Sequence, residues 1–350
     1  MTMSIQQFVR PNIQRLQPYS SARSEFKGQA DVFLDANENP FDTGLNRYPD
    51  PLQKELKAVI SKNKGISAKH IFLGNGSDEV IDLLIRIFCE PRVDRIITLP
   101  PTYGMYKVSA GIADVAVQEV PLTTDFQPDP EAILQAADAR SKILFLCSPN
   151  NPTGNDFNPA LVQRLIQDFP GIVVVDEAYI DFSQQPSFAQ AIEQHPNLVV
   201  MQTFSKAWGL AGIRLGMAFA GTEVIELLNK VKPPYNVNQL TQKAALEALQ
   251  RSDEQEQMVA TLLDERRKLE AALPELPFVE RVFPSQANFL LVRVDDPQAL
   301  YRYLVDQKII VRDRSNVHLC AGALRITVGT PDENQRLLET LRVYTATARP

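Results

Sequence analysis

The sequence predicts an α/β protein: a mostly parallel sheet with helices on both faces, joined to a smaller α+β unit toward the C-terminus. Short runs that are apolar throughout, such as Ile143 to Cys147, Ile172 to Val175, Leu198 to Met201 and Leu215 to Ala220, mark strands buried on both faces. Segments of helical spacing separate many of these runs, the alternation of a doubly covered sheet. Polar turns rich in Asn, Asp, Gly and Pro follow the ends of the runs, where open α/β sheets collect their ligands.

Residues 1–40 carry little periodicity and read as an N-terminal arm that begins the smaller unit. Gln17-Pro18-Tyr19 lies on that arm, and Val32 to Leu34 is expected as a short strand before the polar turn Asp35 to Pro40. Residues 41–240 form the large domain. The proline-bracketed loop Asn46-Arg47-Tyr48-Pro49-Asp50-Pro51 opens a helix from Leu52 to Lys62, with Leu52, Leu56, Val59 and Ile60 on one face. A strand from His70 to Leu73 then turns through Gly74-Asn75-Gly76-Ser77-Asp78-Glu79 into an amphipathic helix ending near Glu90. Such a turn exposes helix N-terminal amides, a natural phosphate seat. Glu79 occupies the place where a dinucleotide-binding fingerprint needs its third glycine, so that reading fails.

Strands Arg95 to Leu99 and Val115 to Val120 precede the apolar runs already named, and helices Glu131 to Ala137 and Ala160 to Phe169 fall between them. Residues 241–350 form the small C-terminal domain. The chain is helical from Gln239 to Leu273 with a break near Ser252-Asp253. Strands are expected at Phe289 to Val292, Ile309 to Val311 and Leu324 to Val328, and a closing helix from Pro331 to Val343.

Composition narrows the function classes. A chain of 350 residues with 44% hydrophobic content can bury a sizeable core. Its formal net charge of -6 and pI near 5.3 lack the basic surface that nucleic-acid backbones require. No apolar run approaches the roughly 20 residues that span a bilayer, and Met1 to Arg10 lacks a signal-peptide apolar region. The expectation is a cytoplasmic protein acting on small molecules. Cys89, Cys147 and Cys320 spell neither a disulfide framework nor a zinc knuckle, and His70, His195 and His318 show no ligand spacing, so no metal is expected.

The chemistry centres on Thr203-Phe204-Ser205-Lys206-Ala207-Trp208-Gly209-Leu210-Ala211-Gly212-Ile213-Arg214. Lys206 follows a buried strand and sits among apolar residues, so its ammonium form is partly desolvated. Desolvation lowers the pKa and makes the amine a nucleophile toward a carbonyl. Ser205 adds a hydroxyl, and Arg214 adds a donor fork suited to phosphate. A carbonyl-binding lysine beside phosphate-binding groups describes pyridoxal phosphate.

These residues resemble the lysine signature of the fold-type I pyridoxal-phosphate enzymes, specifically the class II aminotransferases. The resemblance implies that Lys206 binds the cofactor and serves as the catalytic base. Asp176, ending Ile172 to Val175, matches the carboxylate that pairs with the pyridine nitrogen and keeps it protonated, so that the ring acts as an electron sink. Tyr179 and Asn151, in Val175-Asp176-Glu177-Ala178-Tyr179 and Ser148-Pro149-Asn150-Asn151-Pro152-Thr153-Gly154, match the partners of the ring's phenolic oxygen. Tyr103, in Pro100-Pro101-Thr102-Tyr103-Gly104-Met105-Tyr106, matches the aromatic that stacks on the ring. Ser77 and Asp78 with their amides, and Ser205 and Arg214 with their side chains, match the phosphate seat. The motifs run from about Asp31 to Thr330.

Within that class, Leu34-Asp35-Ala36-Asn37-Glu38-Asn39-Pro40, Asn46-Arg47-Tyr48-Pro49 and Leu324-Arg325-Ile326-Thr327-Val328-Gly329-Thr330 resemble the wording of the histidinol-phosphate aminotransferases. This implies amino transfer between L-histidinol phosphate and 2-oxoglutarate, giving imidazole acetol phosphate and glutamate, in histidine biosynthesis. It also implies a homodimer with shared active sites, in which Tyr48 serves the neighbouring subunit's cofactor. Arg325 and Arg312 match positions facing the substrate anion, and Tyr19 is placed over the substrate from the arm. Aromatic or other amino-acid aminotransferases, and the threonine-phosphate decarboxylase of the same fold, are the alternative readings. Aminotransferase-like transcription regulators carry an extra helix-turn-helix domain, for which the residues before Asp31 leave no room.

Overall fold

The computed structural model describes residues 4–19, 28 and 30–348, with side chains through residue 344. Seven strands form the larger sheet: β1 (Ile71–Asn75), β2 (Arg95–Thr98), β3 (Ala116–Glu119), β4 (Ser141–Cys147), β5 (Ile172–Asp176), β6 (Leu198–Thr203) and β7 (Leu215–Ala220). Their order is β1-β7-β6-β5-β4-β2-β3. β7 pairs antiparallel with both of its neighbours, while the other pairs are parallel, so six strands run one way and β7 alone runs back. That reversal matters for the site. The amino end of β7 lies level with the carboxyl ends of its neighbours, which brings Arg214, the residue before Leu215, to the edge where β5 ends at Asp176 and β6 at Thr203.

The continuous apolar runs are explained by burial on both faces. Ile172 and Val174 of β5 enter one core and Val173 and Val175 the other, and β4 divides the same way, Ile143 and Phe145 against Leu144 and Leu146. The first face is covered by helices Ser77–Phe88, Met105–Ile112 and Thr222–Val231, and by Ile5, Val9 and Ile13 of the arm. The second is covered by helices Lys54–Lys64 and Pro159–Asp168, with Ala245 and Leu249 from helix Gln239–Leu249. Several helices start where an Asn or Asp side chain accepts from a first-turn amide: Asn158 from Ala160, Asn238 from Thr241 and Asp296 from Ala299.

The smaller sheet is antiparallel throughout, in the order β10-β11-β9-β8, with β8 (Val279–Val282), β9 (Phe289–Val294), β10 (Arg312–Asp313) and β11 (Ala323–Thr327). Period-two alternation splits its faces. Leu290, Val292, Leu324 and Ile326 enter a core shared with helices Pro297–Asp306 and Pro331–Ala348. Phe289, Leu291 and Ala323 turn toward the large sheet.

The α/β architecture expected from the sequence is the one observed. Local differences have physical causes. Val32 to Leu34 is not a strand: Val32 is 71% and Leu34 87% exposed, so neither side chain is buried against the described residues. β8 escapes the sequence pattern because Glu280 and Arg281 at its centre are exposed. The strand expected at Ile309 to Val311 forms at Arg312–Asp313 instead, set by pairing with β11. Helices Met105–Ile112, Thr222–Val231 and Pro297–Asp306 were not anticipated. Among the described residues no helix is long and apolar enough to cross a membrane.

Candidate active site

A cleft of about 780 Å³ opens between the carboxyl edge of the large sheet and the inner face of the small one. Ser77, Asp78, Tyr103, Asn151, Asp176, Tyr179, Ser205, Lys206, Arg214, Arg312 and Arg325 all line it. Eleven of the thirteen residues singled out from the sequence therefore meet in one place, although they are spread over some 250 positions of the chain.

Asp176, the last residue of β5, forms the floor. It is 3% exposed. Its Oδ2 accepts from the Tyr106 hydroxyl at 2.6 Å and its Oδ1 from the Ala178 amide at 3.2 Å. Burial pushes its pKa up to about 6, against the pull of these two hydrogen bonds. Tyr106 is fully buried, stacked on Phe145 with centroids 4.5 Å apart, and burial raises its own pKa well above the usual phenol value, so it stays a neutral donor.

Lys206 stands at the mouth of the floor in the turn after β6, its Nζ 5.6 Å from the centre of the Tyr179 ring. Its side chain opens into the cleft, yet desolvation, and then the positive charge of Arg325, lower its pKa. Tyr179 is buried, and the Asn151 amide donates to its hydroxyl at 3.5 Å, a long contact. Arg325 Nη1 donates to Asn151 Oδ1 at 2.5 Å, which ties the small sheet to the cleft wall.

At the other end, the helix Ser77–Phe88 begins at Gly76, whose φ of 79° lies in the left-handed region, and no side chain caps its first amides. Gly216 of β7 lets this turn come close: a Cβ there would collide with the Ser77 nitrogen. Arg214 itself has φ 54° and ψ 55°, a left-handed conformation uncommon for a branched-donor side chain and held here at a functional edge. Its Nη2 lies 3.5 Å from Asp78 Oδ2, and Asp78 Oδ1 accepts from the Tyr103 hydroxyl at 3.1 Å.

Two expected residues lie elsewhere. Tyr19 is 71% exposed and does not line the cleft. Tyr48 borders a separate open groove of about 470 Å³ and stacks on Tyr235 with centroids 4.4 Å apart. The sequence reading missed Tyr106 and Arg314. Each was signalled: Tyr106 follows Tyr103 by three residues at the start of a helix, and Arg314 follows Arg312 by two, the period of a strand.

The cleft fits pyridoxal phosphate by its own chemistry. It combines uncapped helix amides beside a guanidinium, a fully buried carboxylate on the floor, an aromatic side wall and a lysine amine with a lowered pKa.

These features define a transferase of the aminotransferase type, and a family model described as aminotransferase class I and II matches residues 27–341; the chain belongs to that family. Within it, the chain is similar to the histidinol-phosphate aminotransferase of Cytophaga hutchinsonii, 54% identical over 98% of this chain and 100% of that one. The Bacteroides fragilis enzyme of the same name is 54% identical over 97% of this chain and 99% of that one. Among solved structures, the histidinol-phosphate aminotransferase of Clostridium acetobutylicum superposes with a TM-score of 0.79 at 25% identity, covering 87% of this chain and 92% of that one. The Sinorhizobium meliloti enzyme, solved in complex with pyridoxal-5'-phosphate, shares the fold with a TM-score of 0.78 at 22% identity, covering 87% and 84%.

Proposed function

We propose that this chain is a pyridoxal-phosphate-dependent aminotransferase that moves an amino group between L-histidinol phosphate and 2-oxoglutarate in histidine biosynthesis. The observation that carries the reading is the gathering of Lys206, Asp176, the Ser77–Phe88 helix start and the arginines of the small sheet in one cleft. Identity of 54% to histidinol-phosphate aminotransferases over nearly the whole chain supports the substrate.

Pyridoxal phosphate, when bound, supplies an aldehyde carbon that takes the amine and a ring that withdraws charge from the substrate's α-carbon. The first amides of helix Ser77–Phe88, with Ser205 and Arg214, would hold its phosphate. Tyr103 would flank the ring, Asp176 would face its nitrogen, and Asn151 and Tyr179 its phenolic oxygen. Asp176 is fitted to its part because it is desolvated yet steadied by Tyr106 and Ala178, which favours an anion in contact with a cationic partner. Lys206, whose pKa is lowered by desolvation and by Arg325, would take the proton from the substrate carbon and deliver it to the cofactor's aldehyde carbon, on the far side of the amine nitrogen. Arg325 would grip the substrate's anion; a guanidinium fork accepts carboxylate and phosphate alike, so one end of the cleft can serve both substrates in turn.

The reading extends to assembly and location. Leu45, Tyr48 and Leu240 are exposed and line the groove that Tyr48 borders, an apolar face suited to a second copy. In that homodimer Tyr48 would complete the partner's cleft, and the reaction would take place in the cytoplasm. The test is a panel of amine donors with 2-oxoglutarate: histidinol phosphate is expected to lead the panel. Leadership by an aromatic amino acid, or carbon dioxide release from threonine phosphate, would replace this reading with one of the two alternatives.

A further inference from the structure

We propose that Arg314 is the specificity-determining residue for phosphate, completing with Arg325 and Arg312 a three-guanidinium subsite for the dianionic end of a phosphate-bearing amine. This deepens the function proposed above and rests on it for the substrate class. β10 and β11 pair in the register Arg312↔Arg325 and Asp313↔Leu324, and the Arg314 amide extends the ladder by donating to Ala323 O at 2.9 Å. Cross-strand partners share a face and alternate residues return to it. Arg312, Arg314 and Arg325 therefore emerge together on the side opposite the buried Leu324, and all three line the cleft that holds Lys206.

Such a face is unfavourable by itself, because like charges directly opposite across a sheet repel. Burial, then Arg325, then Arg312 lower the pKa of Arg314; on Arg325, burial and Arg312 act in the same direction. Among the described residues, neither guanidinium forms an ion pair with a carboxylate. Their Nε atoms are also buried without a hydrogen-bond partner in the protein, as are those of Arg266 and Arg293 outside the cleft, which leaves them open to a ligand or water. A chain of net charge -6 had carboxylates available to neutralise the face. What the face lacks is an anion.

The ligand's chemistry divides the work. A carboxylate offers two oxygens and one charge, which a single fork can satisfy. A phosphate monoester carries close to two charges at pH 7 and three terminal oxygens. Arg325, fixed by Asn151, suffices for the first. Half-buried Arg314 supplies the second fork that only the phosphate needs, while exposed Arg312 is more strongly screened by water.

The test compares cofactor-loaded Arg314→Gln with the unaltered protein in separate half-reactions, using histidinol phosphate and glutamate, and measures inhibition of the glutamate half-reaction by inorganic phosphate. The ratio of kcat/KM for histidinol phosphate to that for glutamate is expected to fall roughly thirtyfold or more, chiefly through KM, with phosphate inhibition weakened in parallel. Arg314→Lys keeps the charge without the fork and should shift the ratio in the same direction by a smaller factor; it also decides the matter if the Gln variant fails to fold. A ratio unchanged in both variants, or equal losses in both half-reactions, overturns the assignment. If the unaltered protein ignores histidinol phosphate while Arg314→Gln still abolishes phosphate inhibition, the proposed function fails and the anion subsite stands.

Discussion

At one end of the cleft, Arg214 meets the Asp78 carboxylate at 3.5 Å beside the uncapped start of helix Ser77–Phe88. At the other, Arg312, Arg314 and Arg325 share a sheet face on which, among the described residues, neither Arg314 nor Arg325 is paired with a carboxylate. Both ends suit anions, but by different physics. The first relies on oriented amides with one partly balanced cation, an arrangement that holds a resident group without a large unbalanced charge in its absence. The second leaves its charge unbalanced on guanidinium forks, which accept carboxylate and phosphate alike. The contrast separates a seat for a cofactor from a seat for exchanging substrates, with Lys206 and Asp176 between them.

Substitutions between and within the two ends test that division. Lys206→Ala removes the base that both substrates need, and multiple-turnover rates with either should fall roughly a thousandfold or more. Survival of one half-reaction at the normal rate would mean that another group moves the proton. Asp176→Asn nearly preserves shape while removing the anion, and single-turnover rates should fall roughly a hundredfold, about 3 kcal/mol of barrier, with a smaller loss of cofactor affinity. Its titration gives a pH prediction. Because burial raises the Asp176 pKa to about 6 rather than lowering it, the anion is present above that value and lost as pH falls through it. Cofactor affinity of the apoprotein should decline below about pH 6, and the Asn variant should lack this inflection; an unchanged inflection assigns it to another group.

Two further changes set the ends against each other. Arg325→Lys keeps charge but loses the bidentate fork, so kcat/KM should fall in both half-reactions by about 2 kcal/mol, with the cofactor's absorbance intact. A loss confined to glutamate would break the idea of a shared anion end. Arg214→Gln acts at the opposite end: the cofactor's Kd should rise about tenfold, as for one charge-assisted contact, while the ratio between half-reactions holds. A change in that ratio would show that the ends are not separate.

Much of this arrangement was legible in the sequence. The runs Ile172 to Val175 and Leu198 to Met201 signalled strands buried on both faces, and the polar residues just beyond them, Asp176 and Lys206, fell where an open sheet exposes its carboxyl edge. Arg214 was legible as chemistry, but the antiparallel run of β7 that carries it to that edge was not, since strand direction leaves no trace in an apolar pattern. Arg314 went unread because β10 is only two residues long and its face is fixed by pairing with β11, a contact set by tertiary structure. Tyr106 is a core tyrosine whose hydroxyl ends on Asp176, a contact made only by the fold. Tyr19 marks the limit in the other direction: motif position alone placed it in the site, and in the single chain it stands in solvent.

The central claim is that one cleft, with Lys206 as its base, alternates between a phosphate-bearing amine and a dicarboxylate. It is tested most directly by following the near-visible absorbance of the cofactor-loaded protein in stoichiometric additions. Histidinol phosphate alone should discharge the absorbance, and 2-oxoglutarate should then restore it, repeatedly, with Lys206→Ala doing neither. Absorbance that glutamate discharges and histidinol phosphate leaves untouched would contradict the account.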